Sequence, residues 1–400
     1  MRQGLGAKNG NQAGLTLVEV MVALVIALIL GAGIYQIFAG TQRTFTVNRS
    51  LGTLQDDGRF AMYVLRSEIR GAGYMGCQSE NFNNILSVDI ADYPTLNFRQ
   101  AVYGLEADGT GWLDNKGVTI NPSLTGLKEL NLTNPTPLPG NDILVVRGVR
   151  PFLQERKVSD DPADYLTTEK EIKLAPAPGE PGYTPPDPPT PTPPSPPPLA
   201  DGGGDVLVAG SCKQSVLFES KSYSGNLIKV VAGVPAPPSS IGNSTDEFGT
   251  SFEKGSTILI PQTQIFYVGA QENGEPGLFR KIIGSGLNEG GGFSLTTQPE
   301  LIASGVERFL VRYYGEGVNE YGASYIDPYE SASKVDNWAN VRSIRIGLLM
   351  RSEEVADNLA TLDTAKYYVS GDDDYDFEAP GDRRLRMVFT GTITLRNRVR

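Results

Sequence analysis

The sequence predicts an α+β chain: one long N-terminal helix packed on antiparallel β-sheet. Three observations lead there. A continuous apolar run starts at Leu15 and is interrupted by a single charge, Glu19, before Phe38. Beyond Phe38 the apolar positions become periodic, with Val47, Leu51, Leu54, Gly58, Ala61, Leu65 and Ile69 recurring at steps of three and four, the spacing of one helix face. After Gly73 that period gives way to short β-rich runs separated by Gly, Pro, Asn and Ser clusters.

The first fourteen residues, MRQGLGAKNGNQAG, are polar and carry Arg2 and Lys8 but no acid. The run from Leu15 to Phe38 spans about 36 Å as a helix, enough to cross a bilayer with some tilt. Basic residues ahead of it place its N-terminal side in the cytoplasm and everything after Phe38 beyond the membrane. A secretory signal has a small-residue cleavage site after its apolar core. Here the small residue, Gly14, comes before it. Cleavage there removes the polar leader, leaves the hydrophobic helix as the new N-terminus and creates an α-amino group near Glu19. In an assembly of such helices, Glu19 of one subunit then neutralises the terminal amine of its neighbour, and the pairing makes both charges tolerable in an apolar environment.

The second half of the helix, 39–73, carries its apolar stripe with Arg49, Gln55, Asp56, Arg59, Arg66 and Arg70 largely off it. Gly71 and Gly73 mark its end. A helix from Leu15 to Arg70 is about 84 Å long. The remainder divides into a first β-rich part, 74–174, and a second, 205–400, around a Pro/Gly-rich spacer, 175–204. Prolines recurring through Pro176–Pro198 exclude helix and ladder strand and favour extended polyproline II. Among the strands, Phe309, Val311 and Tyr313 alternate with Arg308, Leu310 and Arg312. Ile344, Ile346, Leu348 and Met350 oppose Ser343 and Arg345, and Met387, Phe389 and Ile393 alternate with Arg386, Thr390, Thr392 and Thr394. Each pattern reads as an antiparallel strand with one buried face.

Composition limits the chemistry. With 35 basic and 46 acidic residues the net charge is −11, which argues against direct binding of nucleic acid. There is no histidine, so Ser-His and Cys-His nucleophile systems and histidine-containing zinc sites are excluded. The two cysteines, Cys77 and Cys212, form one disulfide most simply in an exported protein; two unpaired buried thiols are the other reading. If they pair, they bracket the proline-rich spacer. The acidic run from Asp372 to Asp376 spaces its carboxylates as calcium ligands are spaced. However, Phe377 and Arg383 stand where an EF-type loop needs glycine and a bidentate acid, so a solvated acidic loop is expected. The tyrosines from Tyr313 to Tyr329 read as partial core or as a contact surface. No nucleophile–base pair and no cofactor motif stands out.

Gly14-Leu15-Thr16-Leu17-Val18-Glu19 ahead of an apolar run resembles the class III signal of type IV pilins and type II secretion pseudopilins. The resemblance implies cleavage after Gly14 by a prepilin peptidase, N-methylation of Leu15 (where the family usually has phenylalanine), and Glu19 as the acid that meets a neighbour's amine. Gly71-Ala72-Gly73-Tyr74-Met75-Gly76-Cys77, the stretch Val335 to Ile346 and the closing Arg383 to Arg398 resemble the PilW family of minor pilins. That implies a pilin-like fold and a non-catalytic subunit needing no cofactor or metal. It also implies a role in priming type IV pilus assembly with other minor pilins and the major pilin, at a tip that carries a PilY-type adhesin. Motility and adhesion then belong to the whole machine. The inner membrane holds the subunit, with its C-terminal domain in the periplasm, before it enters the fibre. The J-type pseudopilin of type II secretion shares the helix, and an anchored periplasmic binding protein is the alternative from another class. Gly14 and Glu19 speak against the latter, since an anchor has no use for either.

Overall fold

The computed structural model describes residues 16–398 except 77–80, 90–92, 94, 110, 125–129, 152–170, 174–203, 212, 225–226, 234–240, 250–251, 253–255, 286–292, 295–296, 319–323, 327–329, 354–361 and 373–375. The proline-rich spacer thus lies outside the described residues apart from Gly204, as do Gly14, Leu15, Cys77, Cys212, Asp373 and Asp374.

One helix, Leu17–Gly71, runs for 55 residues, about 82 Å. It stops where Gly73 takes φ +75, a left-handed conformation that glycine adopts without steric cost. The Gly73 amide then donates to the Arg147 carbonyl at 2.8 Å. The two halves of the helix differ in environment. Large apolar side chains from Leu17 to Phe45 are exposed, whereas Leu54, Gly58, Ala61, Met62, Leu65 and Ile69 are buried. The packed stripe is shorter than its sequence period, because Val47 and Leu51 are only half-buried where the helix leaves the globular part.

That stripe packs where two sheets meet. A four-stranded antiparallel sheet has the order Ser324–Ile326, Val306–Val318, Val341–Arg351, Arg386–Thr394. The larger sheet has eleven strands among the described residues and is centred on Thr257–Ala270, which pairs antiparallel with Ile143–Pro151, Pro276–Ser285 and Val206–Gly210. Phe309, Ile344, Ile346 and Leu348 from the first sheet and Val102, Leu144, Phe266 and Val268 from the second share one core with the helix. At its far end the larger sheet is buried on both faces, so Val206–Gly210 and Ser215–Glu219 show no inside–outside alternation. One pairing departs from the antiparallel expectation: Phe82–Asn84 runs parallel to Ser215–Glu219. The chain between them is long enough for the crossover that parallel strands need.

Phe309, Val311 and Tyr313 are buried as predicted, and so are Ile344, Ile346, Leu348 and Met350, but in the latter strand Ser343 and Leu349 on the opposite face are buried too, so both of its faces are covered. Tyr313 is core rather than contact surface, at 2% exposure, and meets Trp338 edge-on with ring centroids 4.8 Å apart. Arg386 breaks the pattern. The period of its strand puts it on the polar face, yet its side chain is 0% exposed. It is enclosed by Glu307 at 2.6 Å, Asp363 at 3.0 Å and Asp382 at 2.6 Å. Burial alone lowers the pKa of a guanidinium; here hydrogen bonds to Asp382 and Glu307 outweigh it and raise that of Arg386. Arg351 extends the network, bridging Glu307 at 3.2 Å and Glu275 at 2.9 Å. Arg384 closes on Glu275 at 2.7 Å.

The two sheets are stitched together by Asn141 and Asp142. Asp142 accepts from the backbone amides of Ala107 at 3.0 Å and Val311 at 2.8 Å, and its own amide donates to the Phe309 carbonyl at 2.9 Å. The Asn141 side chain accepts from the Phe309 amide at 2.8 Å. Burial pushes the Asp142 carboxyl up to about 6, against the pull of those two backbone donors and of Arg312, 3.7 Å away. Because the folded pKa lies above the ordinary 3.8, the native state holds the proton more tightly, and this group's contribution to stability falls as pH rises from about 4 to about 6.

Asp142→Asn presents an amide NH2 to one of the two backbone donors and leaves it unsatisfied, so it is expected to destabilise the fold by about 1–3 kcal/mol. Denaturant melts of both proteins from pH 4 to 7 should show the native advantage shrinking as pH rises, and a constant difference would count against a titrating Asp142. Gly347→Ala is expected to cost about 1–3 kcal/mol, because an added Cβ would sit 1.7 Å from the Val369 carbonyl oxygen. Thermal melts test this, and an unchanged midpoint would show that the 369 segment can yield.

Candidate functional site

The site that the sequence singles out is the start of the helix. Thr16 is its N-cap, in an extended conformation with φ −74 and ψ 151. The Glu19 backbone amide donates to the Thr16 hydroxyl at 3.4 Å. In return, the Glu19 carboxylate accepts from the Thr16 amide and hydroxyl, both at 3.0 Å. This reciprocal capping box satisfies helix amides that have no intrahelical partner. The spacing of Thr16 and Glu19 is itself the signature of a capping box, a local role that the charge argument for Glu19 passes over. The acid therefore has a partner within its own chain, at the helix end where the macrodipole favours negative charge.

Below this cap the helix surface is bare. Leu17, Leu28, Ile34 and Ile37 are exposed at 76%, 68%, 68% and 73%, and a Cβ built on Gly31 or Gly33 meets nothing within 4 Å. The segment is long and apolar enough to cross a membrane. With so much unpartnered apolar area, only lipid or other helices suit it as surroundings. The geometry provides a hydrophobic rod with one carboxylate at its tip and a globular domain at the other end.

Of the other predicted residues, Gly14, Leu15, Cys77 and Cys212 lie outside the described residues. Among the described residues, Gly76 approaches Gly210 so closely that a Cβ on the first would lie 3.3 Å from the Cα of the second. The Ser215 hydroxyl also donates to the Met75 carbonyl at 2.6 Å. The acidic run is only partly the solvated loop expected. Asp372 accepts from Arg312 Nε at 2.9 Å, and Asp376 accepts from the Ser370 amide and hydroxyl, both at 2.8 Å. These two carboxylates are committed to protein donors, and no cluster of three metal-ligating side chains occurs among the described residues.

Comparison with known proteins bears on both ends of the chain. Residues 9–35 match the prokaryotic N-terminal methylation motif. Residues 265–397 match the PilW model, described as type IV pilus-assembly protein W. That region holds the four-stranded sheet, the second part of the strand Thr257–Ala270 with its partner Pro276–Ser285, and the Arg386 network. A type IV-like pilin from Thermus thermophilus is similar over 50% of this chain and 86% of its own, at 13% identity and a TM-score of 0.20. No curated protein matches.

An exposed apolar helix that opens on a methylation motif, with an antiparallel domain packed on its far half, defines the class of type IV pilins. Within that class, the PilW match over the C-terminal third of the chain and the N-terminal methylation motif support a PilW-type minor pilin.

Proposed function

We propose that the chain is a non-catalytic minor pilin that helps prime assembly of a type IV pilus and sits with other minor pilins in a complex at its tip. It is processed after Gly14 by prepilin peptidase and methylated on Leu15. It is held in the inner membrane by residues 15–38, with the rest in the periplasm, until it joins the major pilin in the fibre. A PilY-type adhesin is its partner at the tip. The observation that carries this reading is the bare apolar rod ending in Glu19, which needs neighbouring helices to bury it. During entry the Glu19 carboxylate exchanges its hydrogen bonds to Thr16 for the amine of an adjoining subunit, or shares itself between the two. A disulfide between Cys77 and Cys212 ties the domain together, supported by the contact between Gly76 and Gly210.

The deciding experiment is the N-terminal mass of the protein recovered from its own host's membranes and from sheared pili. A chain starting at N-methylated Leu15 in the pilus fraction is expected. The same mature chain confined to secretion-system complexes would instead favour the pseudopilin reading, and an intact Met1 would favour a plain membrane anchor. Glu19→Ala should leave processing intact and reduce recovery in sheared pili, and undiminished recovery would remove amine pairing as its role. Gly14→Asp should block maturation. Peptide maps with and without reductant should link the Cys77 and Cys212 peptides, and a free thiol at either position would dismiss the bridge.

A further inference from the structure

At the far end of the helix three arginines are gathered without a counter-charge. Tyr63, Arg66 and Arg70 lie at helical steps of three and four and so share one face. All three are exposed, as is Tyr74 just past the helix end. The C-terminal 3-10 turn, Arg396–Arg398, is pinned against the same place by Asn397, whose side-chain amide donates to the Gly71 and Ala72 carbonyls at 3.4 and 3.1 Å. This brings Arg396 beside Arg66 and Arg70, and the three line a groove of about 510 Å³ together with Tyr63, Tyr74 and Asn397.

Among the described residues, arginines packed in the globular part are paired, whereas Arg43, Arg49 and Arg59 along the exposed helix are not; the groove differs from both in drawing three unpaired arginines together. Arg280, Arg312, Arg351, Arg384 and Arg386 each hold a carboxylate. Arg66, Arg70 and Arg396 have no ion pair or hydrogen-bond partner among the described residues. Glu68, in the same helical turn, faces away and pairs with Arg280 at 3.2 Å. The negative end of the helix dipole favours one cation in the last turn, and Arg70 fills that place. It does not account for Arg66 or for the cap that adds Arg396. Like charges drawn together in a chain of net charge −11 complement an anion.

We propose that this groove is a docking site for a short acidic segment of a partner protein, whose carboxylates pair with Arg66, Arg70 and Arg396 while Tyr63 and Tyr74 flank the backbone. Guanidinium forks match carboxylates in bidentate geometry, and exposed tyrosines add rigid contact area at low entropic cost. A lipid headgroup is out of reach while the helix spans the membrane: Arg66 stands about 42 Å beyond Phe38 along the helix, several Debye lengths from the membrane surface. A nucleic acid extends its phosphates well past the groove, over a surface that is negative overall, whereas a short acidic segment ends with it. The site does not depend on the tip or priming role.

The test uses the full chain in detergent micelles and a fluorescently labelled deca-glutamate peptide, with a labelled 20-nucleotide single strand of DNA as competitor class, read by anisotropy at two salt concentrations. The triple variant Arg66→Glu, Arg70→Glu, Arg396→Glu alters exposed side chains only, and its circular dichroism and melting point serve to check that it folds. Saturable peptide binding that weakens with salt and drops at least tenfold in the folded triple variant is expected. If the triple variant does not fold, the single variant Arg396→Glu replaces it, with a threefold or greater loss expected. Absence of peptide binding to the native chain, equal binding by the variant, or tighter binding of the DNA than of the peptide would each overturn the proposal.

Discussion

Every other feature depends on one packing arrangement, the burial of the helix face from Leu54 to Ile69 between the two sheets. A helix this long cannot be stable along its length from propensity alone; its far half is fixed because Leu54, Ala61, Leu65 and Ile69 lose their apolar surface to both sheets at once. The fit is close. A Cβ on Gly58 would meet the Phe389 ring at 2.3 Å, and one on Gly391 the Met62 methyl at 2.7 Å, so these glycines let the C-terminal strand lie directly against the helix. With one half clamped in this way, the other projects as a rigid rod, and its orientation relative to the domain is set by helix geometry rather than by a linker.

Around that apolar centre the polar groups do a different kind of work. Asp142 and Asn141 join the sheets through backbone amides, and Arg386, Arg351 and Arg384 tie three strands and the loop at Asp363–Asp382 to Glu307 and Glu275. A buried ion pair contributes little net stability over an apolar replacement, but removing one partner leaves an uncompensated charge and is strongly destabilising. Networks of this kind therefore act against alternative registers: a shift of Arg386–Thr394 by one residue would strand Arg386 and expose Met387 and Phe389.

The two ends of the helix carry complementary chemistry. At the start, one carboxylate accepts from the amide and hydroxyl of the N-cap Thr16 and sits at the edge of an apolar surface that suits other helices or lipid. At the end, a cluster of guanidinium groups is held open toward solvent by an asparagine cap. The rod thus holds the acid at its start and the guanidinium cluster at its end about 75 Å apart.

Much of this was legible in the sequence. The apolar run, its single acid and the three-four period determined the helix and its two environments, because each is local and follows from side-chain direction along one element. The alternation at Phe309–Tyr313 and Ile344–Met350 determined those strands for the same reason. What only the tertiary structure decided are the meetings of distant residues. Arg386 reads as surface until Glu307, Asp363 and Asp382 close on it. Tyr313 reads as partly exposed until Trp338 covers it, and Arg396 has no evident link to Arg66 until Asn397 reaches the helix end. Periodicity reports which face of an element turns inward, while the identity of what lies opposite depends on long-range topology that no local pattern encodes.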